Sequence, residues 1–155
     1  MQSNPIQFSR GSYYEQALVH ETIIDHGFAE QLLEVLNPEF LSLDYLKEII
    51  VILNSYYKEY KTYPSLKLLA SIVAKDVESD LLKGECINFL RTIEKTPLNG
   101  DGGYIRNSSL DFCRKRSLMS ALEKVLTLAE DSNYEQITST IQKSLELGAE
   151  RNIGH

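Results

Sequence analysis

The sequence predicts an all-α protein, a five-helix globular subdomain followed by a long antiparallel helical hairpin. Three observations predict it. Apolar residues recur at intervals of three and four along nearly the whole chain, the period of an amphipathic helix. Residues that start and stop helices fall between those runs. One cluster of glycine and proline, at residues 96–103, separates the first five periodic segments from the last two.

The first helix starts at Ser12-Tyr13-Tyr14-Glu15, which fits a capping box: the Ser hydroxyl and the Glu carboxylate can each satisfy a backbone N–H of the first turn. It is expected to run to about Asp25, with Gly27 as its stop. A short second helix follows from Phe28 to Leu36. It ends before Asn37-Pro38, because the residue preceding proline avoids helical geometry. The third begins near Ser42 and carries Leu43, Leu46, Ile49, Ile50, Leu53, Tyr56, Tyr57 and Tyr60 as one broad apolar stripe. Pro64-Ser65 breaks it and caps a fourth helix, whose Leu68, Leu69, Ile72 and Val73 are expected to face inward. A fifth spans about Ser79 to Lys95, with Leu82, Cys86, Phe89, Leu90 and Ile93 on one side.

Thr96-Pro97-Leu98-Asn99-Gly100-Asp101-Gly102-Gly103 holds three of the eight glycines and one of the four prolines, and is the expected connector. Beyond it one long helix is expected from Tyr104 to Asp131. Asn133-Tyr134-Glu135-Gln136 resembles a second capping box and opens a last helix, with Gly148 as its C-terminal stop. The few residues between these two helices require them to fold back antiparallel. The expected layout is therefore a globule at 1–98, a connector at 99–103, a hairpin at 104–147 and the start of a linker at 148–155.

Composition bounds the function. The chain has 155 residues, 43% of them apolar and 25% charged, which suits one ordinary globular domain rather than a disordered segment. No apolar run approaches a membrane span, and the first residues lack the pattern of a signal peptide, so a cytoplasmic location is expected. Net charge is −6, and residues 1–100 hold nine Lys/Arg against fourteen Asp/Glu. No segment carries the positive excess that neutralising a phosphate backbone requires, which disfavours a free-standing nucleic-acid binder. Cys86 and Cys113 stand apart without metal-ligand spacing and read as reduced core thiols.

Catalytic motifs are absent. His20-Glu21 begins like a zinc-protease motif, but His26 lies six residues on, not four, so the two imidazoles do not share a helix face. No phosphate loop, nucleophile elbow or dinucleotide fingerprint occurs. Neither a catalytic residue, a cofactor site nor a metal site is expected in this stretch.

Two features suit binding. Tyr56 to Tyr63 interleaves four tyrosines with Lys58 and Lys61, which fits either core-and-rim packing or a stacking platform. Arg114-Lys115-Arg116, reinforced by Arg106 upstream, is the basic cluster, read either as a solvated face or as a contact to a partner or DNA. The hairpin carries Leu118, Leu122, Val125 and Ala129 on one helix, and Ile137, Ile141 and Leu145 on the other. With Phe112, Leu126 and Leu128 projecting at other angles, two helices alone cannot bury this much apolar surface. These seven stripe residues are the expected interface, either with the globule or with another copy.

The stretch from Tyr14 to Leu69 resembles the N-terminal domain of DnaB-type replicative helicases. The matching features are Glu15-Gln16-Ala17-Leu18, Phe28 after the Asp25 turn, Leu36-Asn37-Pro38-Glu39-Phe40-Leu41, then the long helix ending in Tyr57-Lys58-Glu59-Tyr60-Lys61-Thr62-Tyr63-Pro64. Ser109-Leu110-Asp111-Phe112-Cys113-Arg114-Lys115-Arg116 before a hairpin is similar to the phage-encoded branch. The resemblance implies hairpins that pair between subunits, in a collar of three dimers above six RecA-like motor domains. It implies primase, and in some systems a helicase loader, as partners. DNA would be engaged through the full ring. The motor domain, with ATP and Mg, is expected to follow a linker beginning at Gly148. The parent would then be an ATP-dependent DNA helicase, in the host cytoplasm if phage-encoded. The alternative is a stand-alone all-helical phage adaptor that binds a host protein; a helical enzyme with a site hidden from sequence is a third reading.

Overall fold

A computed structural model describes Phe8, residues 11–95, 100–130 and 133–153, with side chains described as far as Leu147. The protein is all-α: α1 (Gly11–Ile24), α2 (His26–Leu33), a 3-10 turn (Pro38–Phe40), α3 (Asp44–Tyr60), α4 (Leu66–Asp76), α5 (Asp80–Lys95), α6 (Gly102–Glu130) and α7 (Tyr134–Ile153). It divides into two compact units, Met1–Ser109 and Leu110–His155. The division falls inside α6.

In the first unit α3 is the hub, packing against α1, α4, α5 and the 3-10 turn. The stripe of the third helix explains this. Leu46, Ile49, Ile50 and Leu53 are all buried, while Tyr60, on the same stripe, emerges at the far end. Leu18, Val19, Leu32, Leu41, Leu69 and Val73 complete the centre. Fully burying such a side chain contributes about 1.5–3 kcal/mol, so this cluster outweighs any local helix preference.

Several boundaries differ from expectation, each for a physical reason. Glu15 does not form a local capping box. It is 1% exposed and turns away from Ser12 to accept hydrogen bonds from Ser42 N at 2.7 Å, Ser42 Oγ at 2.7 Å and Leu43 N at 3.4 Å. Leu43, the N-cap of α3, has no side-chain acceptor of its own, so α1 supplies the missing one. Gly27 does not stop α1. Asp25 does, as N-cap of α2, with Oδ1 accepting from Phe28 N at 3.0 Å, and Gly27 lies within α2. α2 ends at Leu33, and Asn37 caps the short 3-10 turn that carries the chain into α3.

Lys61, in the left-handed region at φ 57°, ends α3 ahead of Pro64, and its N–H donates to Tyr57 O. Ser65 caps α4 through Leu68 N. Of the four α4 residues expected inside, Leu69 and Val73 are buried and Ile72 half-buried, but Leu68 is exposed. α4 packs against α5 and α3, and the arc those two neighbours cover stops short of Leu68.

The expected connector shortens. Asn99 lies outside the described residues, Gly100 takes φ +87°, and Gly102 and Gly103 are already helical. Gly148 does not stop α7, whose backbone stays helical to Ile153. Glycine weakens a helix by about 1 kcal/mol but ends it only where a left-handed residue is required. The expected linker thus begins as helix, and residues 154–155 lie outside the described residues.

In the second unit, Asn133 N donates to Leu128 O at 3.1 Å and Asn133 Oδ1 accepts from Gln136 N at 3.3 Å, which turns the chain into α7. Beyond Ser117 the half-buried positions on α6 are Ala121, Val125 and Leu128, and on α7 Ile137, Thr140, Ser144 and Leu147. Intervals of three and four on both helices are what one helix leaves on another where they share a seam.

Candidate functional site

The hairpin seam accounts for only part of the apolar surface of α6 and α7. Val125 and Ile137, two of the expected interface residues, sit half-buried in it. Leu118, Leu122, Ile141 and Leu145 do not: they are 48%, 49%, 41% and 64% exposed. Ala129 is also exposed. Met119 and Leu126, outside the expected set, join them at 48% and 68%. Intervals of three and four place Leu118, Met119, Leu122, Leu126 and Ala129 along one side of α6. The expected interface therefore separates into an inner seam and an outer apolar stripe. Sequence periodicity alone does not assign residues between them, because both obey the same spacing.

The basic cluster separates too. Lys115 Nζ pairs with Asp111 Oδ2 at 3.0 Å in an exposed i,i+4 bridge, while Arg114 and Arg116 are half-buried in the second unit. Such an exposed pair contributes at most about 0.5 kcal/mol. Arg106 belongs to the first unit and serves a different contact. Its Nη1 lies 3.0 Å from Glu21 Oε2 and 3.6 Å from Asp25 Oδ2, with the Glu21 carboxylate almost wholly enclosed. Gly102 lies against that carboxylate so closely that a Cβ would overlap it. Nearby, Tyr13 Oη donates to Asp101 Oδ2 at 2.7 Å, which raises the pKa of that phenol, and Tyr14 Oη shares a 2.6 Å hydrogen bond with Ser108 Oγ. An open cleft of about 610 Å³ flanks this network, lined by Glu21, Ile24, Asp25, His26, Gly100, Gly102, Gly103 and Arg106. No sequence signal links Glu21 to Arg106, 85 residues away.

The aromatic run is both core and rim. Tyr63 is buried, stacked on Tyr57 at 4.7 Å with His26 5.7 Å away, and burial with the neighbouring Tyr57, Glu30 and Glu34 pushes its pKa up to about 12. Tyr57 Oη reaches Glu30 at 3.4 Å. Tyr56 and Tyr60 lie 4.7 Å apart, and Tyr60 is exposed. The histidines stand in separate settings: His20 is buried in α1, where burial lowers its pKa against the opposing pull of Glu21, and His26 is exposed. Cys86 and Cys113 are free and buried, and burial raises the Cys86 thiol to about 11, with Glu48 and Glu85 adding to it. A value raised in that way keeps the thiol in its protonated, less nucleophilic form at neutral pH.

Among the described residues, no three His, Cys, Asp or Glu side chains are placed to share a metal ion, and no helix is long and apolar enough to cross a membrane. The outer stripe of the hairpin is the surface where large apolar side chains gather in solvent: Leu118, Met119, Leu122 and Leu126 on α6, and Ile141 and Leu145 on α7. No protein-family model, curated protein or solved structure matches the chain.

Proposed function

We propose that this chain is the N-terminal collar domain of a DnaB-type replicative helicase of the phage-encoded branch. In this reading it self-associates through its hairpin and docks primase and a helicase loader. The parent unwinds DNA with ATP and Mg in a motor domain, in the host cytoplasm, and DNA is engaged by the full ring rather than by this domain.

The observation that carries the reading is the outer stripe. Leu118, Met119, Leu122 and Leu126 on α6, with Ile141 and Leu145 on α7, are large apolar side chains that one copy leaves in water. They are 41–68% exposed, so covering the remainder gains about 1 kcal/mol per side chain. Two copies pairing through the same stripe gain about 12 kcal/mol in all, against an association cost of about 4–15 kcal/mol. The isolated domain should accordingly pair weakly, and ring geometry, which joins the same surfaces at high effective concentration, would make the pairing persistent.

The test is sedimentation velocity across a concentration series, for the wild type and for Leu118→Asp and Leu122→Asp. The expected result is a concentration-dependent dimer or larger ring that either substitution abolishes. A domain that stays monomeric at high concentration, with both substitutions also silent in assembly of the parent ring, defeats the proposal. Primase retained on the immobilised domain supports the docking role. A phosphate-loop motif downstream of His155 in the same reading frame would supply the motor. A stop codon there, with the stripe occupied by a host protein, would instead favour the adaptor.

A further inference from the structure

We propose that the first two turns of α6 form a releasable latch: residues 102–109 detach from α1 as a local unit while the rest of the globule stays folded. The inference stands on the first unit alone and does not depend on the helicase reading.

The attachment is mostly polar. Tyr14 to Ser108 and Arg106 to Glu21 and Asp25 fasten this segment, and Tyr13 to Asp101 holds the residue just before it. Its one large buried apolar side chain is Ile105; Gly102 and Ser109, also buried, are small. By contrast α3 buries Leu46, Ile49, Ile50 and Leu53. Water can replace each polar partner when the segment lifts away, but nothing in water replaces the contacts of buried leucines. Segments with few buried apolar contacts open at lower free energy than the core, and here the neighbouring cleft already brings solvent to the Arg106 side of the joint. Gly100, at φ +87°, precedes the segment and supplies a backbone position that tolerates rearrangement.

Gly102 separates the docked state from the released one. With a Cβ at position 102, docking requires the tip of the Glu21 side chain to shift from its place beside Arg106, whereas a released helix would be stabilised by alanine there. Gly102→Ala therefore penalises docking while strengthening the helix itself.

Amide hydrogen exchange on the full chain tests this. In Gly102→Ala and in Arg106→Gln, the amides of residues 104–109 should exchange about tenfold faster or more, while those of Ile49, Ile50 and Leu53 in α3 stay unchanged. Slower exchange in Gly102→Ala would show that helix propensity governs and would overturn the latch. An equal acceleration in α3 would do the same, by showing one cooperative unit. Tyr14→Phe removes a single hydroxyl and should leave folding intact. It should accelerate residues 104–109 selectively by about threefold or more, and no acceleration there refutes the proposal even if the other variants fail to fold.

Discussion

Removing the Glu15 carboxylate tests the most unusual stabilising contact in the fold. Both of its oxygens are used: Oε1 accepts from Ser42 N at 2.7 Å and Leu43 N at 3.4 Å, and Oε2 from Ser42 Oγ at 2.7 Å. Hydrogen bonds to a charged group contribute about 1.5–3 kcal/mol each, which would put the two short ones at about 3–6 kcal/mol. That sum must be discounted, because Ser42 is exposed and water can partly satisfy its N–H and hydroxyl. Glu15→Ala is therefore expected to destabilise the protein by about 3 kcal/mol, a large share of the 5–15 kcal/mol typical of a domain. Glu15→Gln should cost only about 1 kcal/mol, since its carbonyl can still accept from both amides while its NH₂ donates to Ser42 Oγ.

Urea denaturation followed by circular dichroism gives these values. A double-mutant cycle with Ser42→Ala should show coupling of about 1 kcal/mol or more, and a cycle with Ser12→Ala close to none. A cost below about 1 kcal/mol for Glu15→Ala, or coupling to Ser12 instead of Ser42, would refute the cap across helices and restore the local capping box.

Four further outcomes are expected. His20 has a lowered pKa in the fold, so the unfolded chain binds its proton more readily; stability should fall as pH drops below about 6.5, and His20→Asn should flatten the pH dependence of Tm between pH 7 and 5. Tyr63 and Cys86 have raised values, about 12 and about 11, so the stability they contribute is present below about pH 9–10 and lost as pH rises towards those values; alkaline titration should show phenolate and thiolate appearing together with unfolding. Gly84→Ala should raise stability by about 0.5–1 kcal/mol, because Gly84 is exposed within α5 and nothing lies within 4 Å of a Cβ placed there; an unchanged urea midpoint would contradict this. Leu118→Asp and Leu122→Asp, both about half exposed, should weaken self-association while lowering the unfolding free energy by only about 1 kcal/mol, read from sedimentation and urea curves on the same samples.

Sequence by itself determined what is periodic and local. The helical class, the α3 stripe, the Ser65 cap and the turn at Asn133 follow from spacing and from side chains that bond within their own turn. Only the tertiary structure decided what depends on groups far apart in the chain. Glu15 lies three residues from Ser12 and suits a local box, yet Ser42 and Leu43 offer donors that α3 cannot satisfy from within, and the unmet donors win. Arg106 reads as part of a basic cluster until Glu21 and Asp25 arrive beside it. The outer stripe likewise shares its spacing with the inner seam, and which leucines stay in water depends on where α7 lies. Periodicity fixes which face a residue occupies along its helix; burial is set by the neighbour that face meets, and the neighbour is chosen by packing across the whole chain.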